Sequence, residues 1–162
     1  MSGTIFSRKL ITLIGSILIV VGLSACTPKN SLNIFPTKVD TVILASHEIN
    51  PDATQRPSPV VLRIYELTSD TTFNSADFFQ LYDEETSTLG DELVSRQELD
   101  MTPGEERELA FKPQINTRYL GVIAAFRNID KAVWRKSFAL HLNATNNLTI
   151  KIDEQSVSLD YR

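Results

Sequence analysis

Cysteine is nearly missing from this sequence: there is one in 162 residues, beside two histidines. One cysteine closes no internal disulfide, and so small a set of soft ligands, with no Cys-x-x-Cys or His-x-x-x-His spacing, offers no transition-metal cage. Basic runs are missing as well. Lys and Arg number 16 against 20 Asp and Glu, a formal net charge of -4. An acidic chain with no basic block is a poor binder of nucleic acid or anionic lipid. There is no Gly-x-Ser-x-Gly elbow for a hydrolase nucleophile, no glycine-rich phosphate cradle and no internal repeat. The composition that remains, 42% hydrophobic and 22% charged, is that of one globular domain stabilised by an apolar core.

The first 25 residues carry only two charges, Arg8 and Lys9. They precede the uncharged run Leu10 to Gly22, the layout of a secretory signal peptide and too short to span comfortably as a membrane anchor. Leu23-Ser24-Ala25-Cys26 then looks like a bacterial lipobox: an aliphatic residue, two small residues and the cysteine. That resemblance implies cleavage before Cys26 and covalent lipid on it, and two or three acyl chains make attachment effectively permanent. The residue after the cysteine is Thr27 and not the Asp that tends to retain lipoproteins in the inner membrane, so the outer membrane is expected, with the body facing the periplasm. The expected organisation is a signal peptide at 1–25, a lipidated tether at 26–36 and a folded body at 37–162. The ten residues Thr27 to Pro36 reach at most about 33 Å.

In the body, Lys38 to Ser46 and Pro59 to Leu67 are short and rich in branched residues, as strands are. Between them, His47 to Ser58 holds two prolines and no periodicity, and is too long for a hairpin loop. Asn74 or Ser75 is placed to cap a short helix through Ala76 to Tyr82, and Glu84 to Asp91 reads as an acidic connector. Leu93 to Met101 and Glu105 to Phe111 flank Thr102-Pro103-Gly104-Glu105, a type II turn signal that predicts a hairpin. Tyr119 to Phe126 is apolar on both faces, the mark of a strand at a sheet centre, with Gly121 a point of bulging or close packing. Val133 to Leu142, the alternating Leu148/Ile150/Ile152 and Val157/Leu159/Tyr161 complete about eight strands. The expected fold is an all-β two-sheet sandwich with one short added helix.

Chemistry-bearing constellations are thin, and no catalytic, cofactor-binding or metal-ligating residue is assigned. Ser46-His47 with Ser58 imitates part of a hydrolase site, but polar loop residues are the better account. Asp83-Glu84-Glu85 and Glu105-Glu106 read as solvated acidic rims, since a glycosidase pair must face across a cleft. Trp134-Arg135 and Phe126-Arg127 read as one core and one surface residue each, and Asn143-Ala144-Thr145 and Asn147-Leu148-Thr149 as chance glycosylation sequons.

Taken in order, several segments resemble one family: Ile49-Asn50-Pro51-Asp52, Arg56 through Leu67, Phe73 with Ala76 to Tyr82, Thr88-Leu89-Gly90, Pro103-Gly104, Leu120 through Arg127, and Trp134-Arg135. This is the TssJ family, the outer-membrane lipoprotein of type VI secretion systems. The resemblance implies a transthyretin-like sandwich and no catalysis. It also implies a partner, the periplasmic C-terminal domain of an inner-membrane TssM-like protein, bound through the loop between the first two strands. In this chain that loop is His47, Glu48, Ile49, Asn50, Pro51, Asp52, Ala53, Thr54, Gln55, Arg56, Pro57 and Ser58. Arg56 would pair with a carboxylate and Ile49 would supply an apolar anchor; family members often carry Gly where this chain has Gln55. No cofactor is expected beyond the lipid on Cys26, and neither nucleic acid nor a small-molecule substrate. The competing readings are a lipoprotein of the same sandwich type that binds a small ligand or envelope glycan in a concave pocket, or a periplasmic chaperone.

Overall fold

The computed structural model describes residues 35–162. The signal peptide, Cys26 and most of the tether expected from the sequence lie outside the described residues. Eight strands form two four-stranded sheets: β1 (Lys38–Ala45), β2 (Val60–Leu67), β3 (Leu93–Met101), β4 (Glu106–Phe111), β5 (Tyr119–Ala124), β6 (Arg135–Ala139), β7 (Thr145–Ile152) and β8 (Val157–Tyr161). One sheet has the order β4-β1-β7-β8 and the other β3-β2-β5-β6. All neighbours are antiparallel except β1 and β7, which run parallel with Lys38 opposite Thr145 and Ala45 opposite Ile152.

The alternation read from the sequence becomes the core between the sheets. Val39 and Ile43 of β1, Leu148, Ile150 and Ile152 of β7, and Val157 and Leu159 of β8 face Leu62 and Ile64 of β2 and Leu120, Val122 and Ala124 of β5. β5 is interior to its sheet and buried on both faces. Its second face is covered by helices: Ile123, with Tyr65 and Leu67 of β2, packs against Phe73, Leu81 and Leu89. Gly121 is there because Phe73 is. A Cβ on Gly121 would come 2.6 Å from that ring, so close packing, not a bulge, explains the glycine.

Two expectations are corrected. The segments around Thr102 to Glu105 do not form a hairpin: β3 pairs with β2 and β4 pairs with β1, so the chain crosses between sheets at that turn. The turn itself is as read, with Gly104 at φ +76 and Glu105 N donating to Thr102 O at 3.1 Å; reversing direction does not require pairing with the strand just left. The single helix becomes three, α1 (Thr71–Ser75), α2 (Phe78–Asp83) and α3 (Glu85–Leu89), and the acidic connector is α3 with a 3₁₀ turn at Gly90–Glu92. The cap of α2 is Asp77, not Asn74 or Ser75. Its carboxylate accepts from Gln80 N while the Gln80 side chain accepts from Asp77 N, a reciprocal capping box.

Candidate functional site

Strand direction sorts the connections onto two ends of the sandwich. β1 starts at Lys38 and ends at Ala45, and β7 runs alongside it. One end therefore carries the approach to β1 with the helical 68–92 connection and the 112–118 and 140–144 loops, and the other carries the 46–59, 102–105, 125–134 and 153–156 loops. The segment that would be the tether and the 47–58 loop are attached to opposite ends of the same eight-residue strand, roughly 26 Å apart at the usual rise.

The base of the 47–58 loop is part of the body. The Ile49 side chain is 0% exposed and packs in the core, so the apolar anchor expected to meet a partner is turned inward instead. Asn50 is buried and takes φ +49, a left-handed conformation Asn tolerates better than most residues. Its amide Nδ2 donates to Pro59 O at 2.7 Å, its Oδ1 accepts from Arg127 N at 2.8 Å, and its own N donates to Glu154 O at 2.9 Å. Ser58 Oγ donates to Asn50 O and accepts from Arg127 Nε at 3.0 Å. His47 lies on the 102–105 turn, its ring filling the space where Gly104 lacks a Cβ. Asn50, Ser58 and His47 thus fasten the loop to three neighbouring loops.

The tip is a separate, self-made unit. Asp52 Oδ1 accepts from Thr54 N at 2.8 Å, Thr54 Oγ1 at 2.7 Å and Arg56 N at 3.1 Å, and Oδ2 accepts from Arg56 Nε at 3.0 Å with Nη2 at 2.9 Å. These bonds, led by the Thr54 hydroxyl and the Arg56 amide, hold the Asp52 pKa down at about 2. Gln55 sits at φ +63, a left-handed conformation that glycine adopts most easily. Ala53, Thr54, Gln55, Arg56 and Pro57 are exposed, as are His47 and Glu48 at the loop start. Pro51 and Asp52 are half-buried between tip and base.

The remaining candidates are structural. His47 and His141 lie at opposite ends and form no pair. Ser58 is occupied by Asn50 and Arg127, and Glu105 accepts from Thr102 N and Oγ1, both at 2.9 Å, and pairs with Arg107. Arg135, read as a surface residue, stacks over Trp134 at 4.6 Å and donates to Phe73 O and Ala76 O at the end of α1. An open cleft of about 600 Å³ lies between α2, α3 and the β2–β3 edge. Its cations are already matched: Arg63 pairs with Glu98 at 2.6 Å and lies 3.8 Å from the Tyr82 ring centre, and Arg96 pairs with Glu85 at 2.9 Å. Tyr65 beneath it donates to Leu81 O at 2.9 Å, and burial pushes its pKa up to about 12. Among the described residues there is no group of three or more His, Cys, Asp or Glu placed to hold a metal, and no helix long and apolar enough to cross a membrane.

Sequence reasoning missed the parts of this end contributed from elsewhere. Arg127 was visible as one half of a Phe-Arg pair and as the end of a family-like segment, not as a partner of the 47–58 loop, and nothing in the sequence marks Glu154 as the carbonyl that receives Asn50.

Residues 37–155 match the family described as type VI secretion lipoprotein, VasD, EvfM, TssJ. Among solved structures, the lipoprotein TssJ1 of the type VI secretion system of Pseudomonas aeruginosa is 38% identical, with a TM-score of 0.77 over 78% of this chain and 97% of that one. The Lip protein of Serratia marcescens, a membrane-bound component of the type VI secretion system, is 28% identical, with a TM-score of 0.71 over 77% and 98%. A chain from the structure described as the type VI secretion protein TssM C-terminal domain from EAEC is 23% identical, with a TM-score of 0.63 over 76% and 97%, a likeness of fold. Comparison with curated protein sequences gave no significant match.

Proposed function

Because the chain belongs to the TssJ family of type VI secretion lipoproteins, we propose that it is held in the outer membrane by lipid on Cys26 and binds the periplasmic C-terminal domain of a TssM-like inner-membrane protein, anchoring a trans-envelope complex. The protein is an adaptor in this reading and performs no catalysis. Residues 1–25 are the cleaved signal, 26–36 the tether and 37–162 the binding body.

The observation that carries the reading is the polarity of β1. Its first residue follows the tether and its last leads into the 47–58 loop, so a chain held by lipid at one end offers that loop on the far side of a rigid sandwich. The contact surface in this reading is the exposed part of the loop, His47, Glu48 and Ala53 to Pro57, with Arg56 as its forked donor. Ile49, Asn50 and Ser58 shape it, and Pro51 and Asp52 join the two. A partner carboxylate would compete with Asp52 for Arg56.

Calorimetric titration of residues 27–162 with the periplasmic domain of the cognate TssM-like protein tests this. A variant with Ala53 to Pro57 replaced by glycine and serine leaves Ile49, Asn50 and Ser58 in place, so it keeps the fold. Saturable one-to-one binding by the wild type, lost in that variant, is the expected result, and a folded wild type that binds nothing refutes it. The anchor is tested separately. Cys26→Ser is expected to move the protein from the membrane to the soluble fraction with its β-rich circular dichroism unchanged.

A further inference from the structure

Among the described residues, six large hydrophobic side chains are exposed: Phe35, Phe79, Ile115, Val133, Leu142 and Tyr161. Four of the six, Phe35, Ile115, Leu142 and Tyr161, lie at the end of the sandwich where β1 begins. The segments that carry them are joined. Asn143 N donates to Thr37 Oγ1 at 2.9 Å, Lys38 N to Ala144 O at 2.9 Å and Leu140 N to Arg118 O at 2.8 Å, while the Tyr161 ring packs beside His141. The same segments hold Lys38, Lys112, Arg118 and Arg162, all exposed, against one exposed acid, Asp160, which precedes Tyr161 on β8. In a chain with more acids than bases this is a local inversion of charge. Asp70, Asp91 and Glu92 lie across that end beside the helices. Asp70 accepts from Asn74 and Ser137, and Glu92 accepts from Thr72 N.

Ile115 is 96% exposed on a loop that is held rigidly. Thr117 N donates to Gln114 O at 3.0 Å, closing a turn with Ile115 at its corner. The carboxylate of Glu66, 7% exposed, reaches under that turn and accepts from Gln114 N at 2.8 Å and Thr117 Oγ1 at 2.6 Å. Arg118 Nη1 donates to Ile115 O at 2.9 Å. A buried acid is costly, and this one fixes a loop whose projecting side chain is a bare isoleucine. Scattered surface hydrophobics need no explanation; a rigidly presented one, at an end that carries three others and four exposed cations, does.

We propose that this end is a bilayer-resting face: Ile115 and Leu142 enter the interface between phospholipid headgroups while Lys38, Lys112 and Arg118 meet the phosphates. Apolar side chains flanked by cations are the composition of interfacial segments. The occupant is the bilayer that lipid on Cys26 would hold, and the inference rests on that anchor reading. Eight residues separate Cys26 from Phe35 and span at most about 30 Å, so the face stays within reach of the headgroups.

The test uses the full-length protein, purified with its anchor and reconstituted in phosphatidylethanolamine–phosphatidylglycerol vesicles. Ile115→Cys and, as the opposite-end reference, Thr54→Cys are labelled with a nitroxide; an acylated Cys26 takes no label. Oxygen is expected to relax the label at 115 several-fold more than a water-soluble nickel chelate does, with the preference reversed at 54. Equal nickel access at both positions, in protein whose intact mass includes the acyl chains, overturns the proposal. Dipolar broadening at 115 overturns it in favour of a second copy on that face. A mass without acyl chains overturns the anchor reading, and this face with it.

Discussion

The base of the 47–58 loop and its tip lie within ten residues of each other and are held by different forces. The base is core: Ile49 is packed among the strands, and the Asn50 amide replaces backbone partners for Pro59 and Arg127. The tip is an exposed knot tied by one carboxylate. Losing burial costs global stability, whereas losing a solvated hydrogen-bond knot costs local order. The loop is therefore a rigid pedestal under an adjustable head, so global stability and the order of the proposed contact surface can be altered apart.

Ile49→Ala should separate the two most sharply. A fully buried isoleucine cut to alanine costs about 2–5 kcal/mol, read as a large drop in the denaturation midpoint, while partner affinity below that midpoint stays near wild type. Asn50→Ala comes next at about 1–3 kcal/mol, because Pro59 O and Arg127 N lose their partner and alanine takes a positive φ poorly. Asp52→Asn should leave the midpoint almost unchanged and instead speed amide exchange at Thr54 and Arg56. Acid should do the same. With its pKa held at about 2 against the ordinary 3.8, the Asp52 carboxylate contributes fully above about pH 4. That contribution falls away as pH drops through about 2, seen as tip amide shifts moving before the core unfolds. Gln55→Gly is the smallest change. It relieves the left-handed backbone and raises stability by at most about 0.5–1 kcal/mol, and a larger effect in either direction would mean that tip and base are coupled after all.

The strands were legible because period-two burial is written in side-chain type: Leu148, Ile150 and Ile152 are buried as their alternation says, and β5 is central as its doubly apolar pattern says. Pairing partners were not legible. Pro103-Gly104 specifies a reversal of the chain, and nothing local tells whether the next strand joins the same sheet or the facing one. The helical segment was half legible. Asn74, Ser75 and Asp77 are all acceptable caps, and the choice of Asp77 follows from Phe73 and Leu81 both having to reach the outer face of β5. The loop end was legible as a location and as a family resemblance, but not as two layers, since one isoleucine among polar residues has no periodicity to show that it points inward.

β1 has a mechanical meaning beyond its place in the sheet. Its two ends lead into the 47–58 loop and back toward the proposed tether, so under the proposed anchoring, tension between lipid on Cys26 and a partner gripping the loop would run along the covalent backbone from Lys38 to Ala45. Little of that load has to cross the sandwich interface. The strand is flanked on both sides, by β4 and by the parallel β7, and extracting it lengthwise means shearing both ladders together instead of opening them one bond at a time. A pull along β1 therefore meets the sandwich in its stiffest direction, while a sideways peel at the β4 or β8 edge meets its weakest.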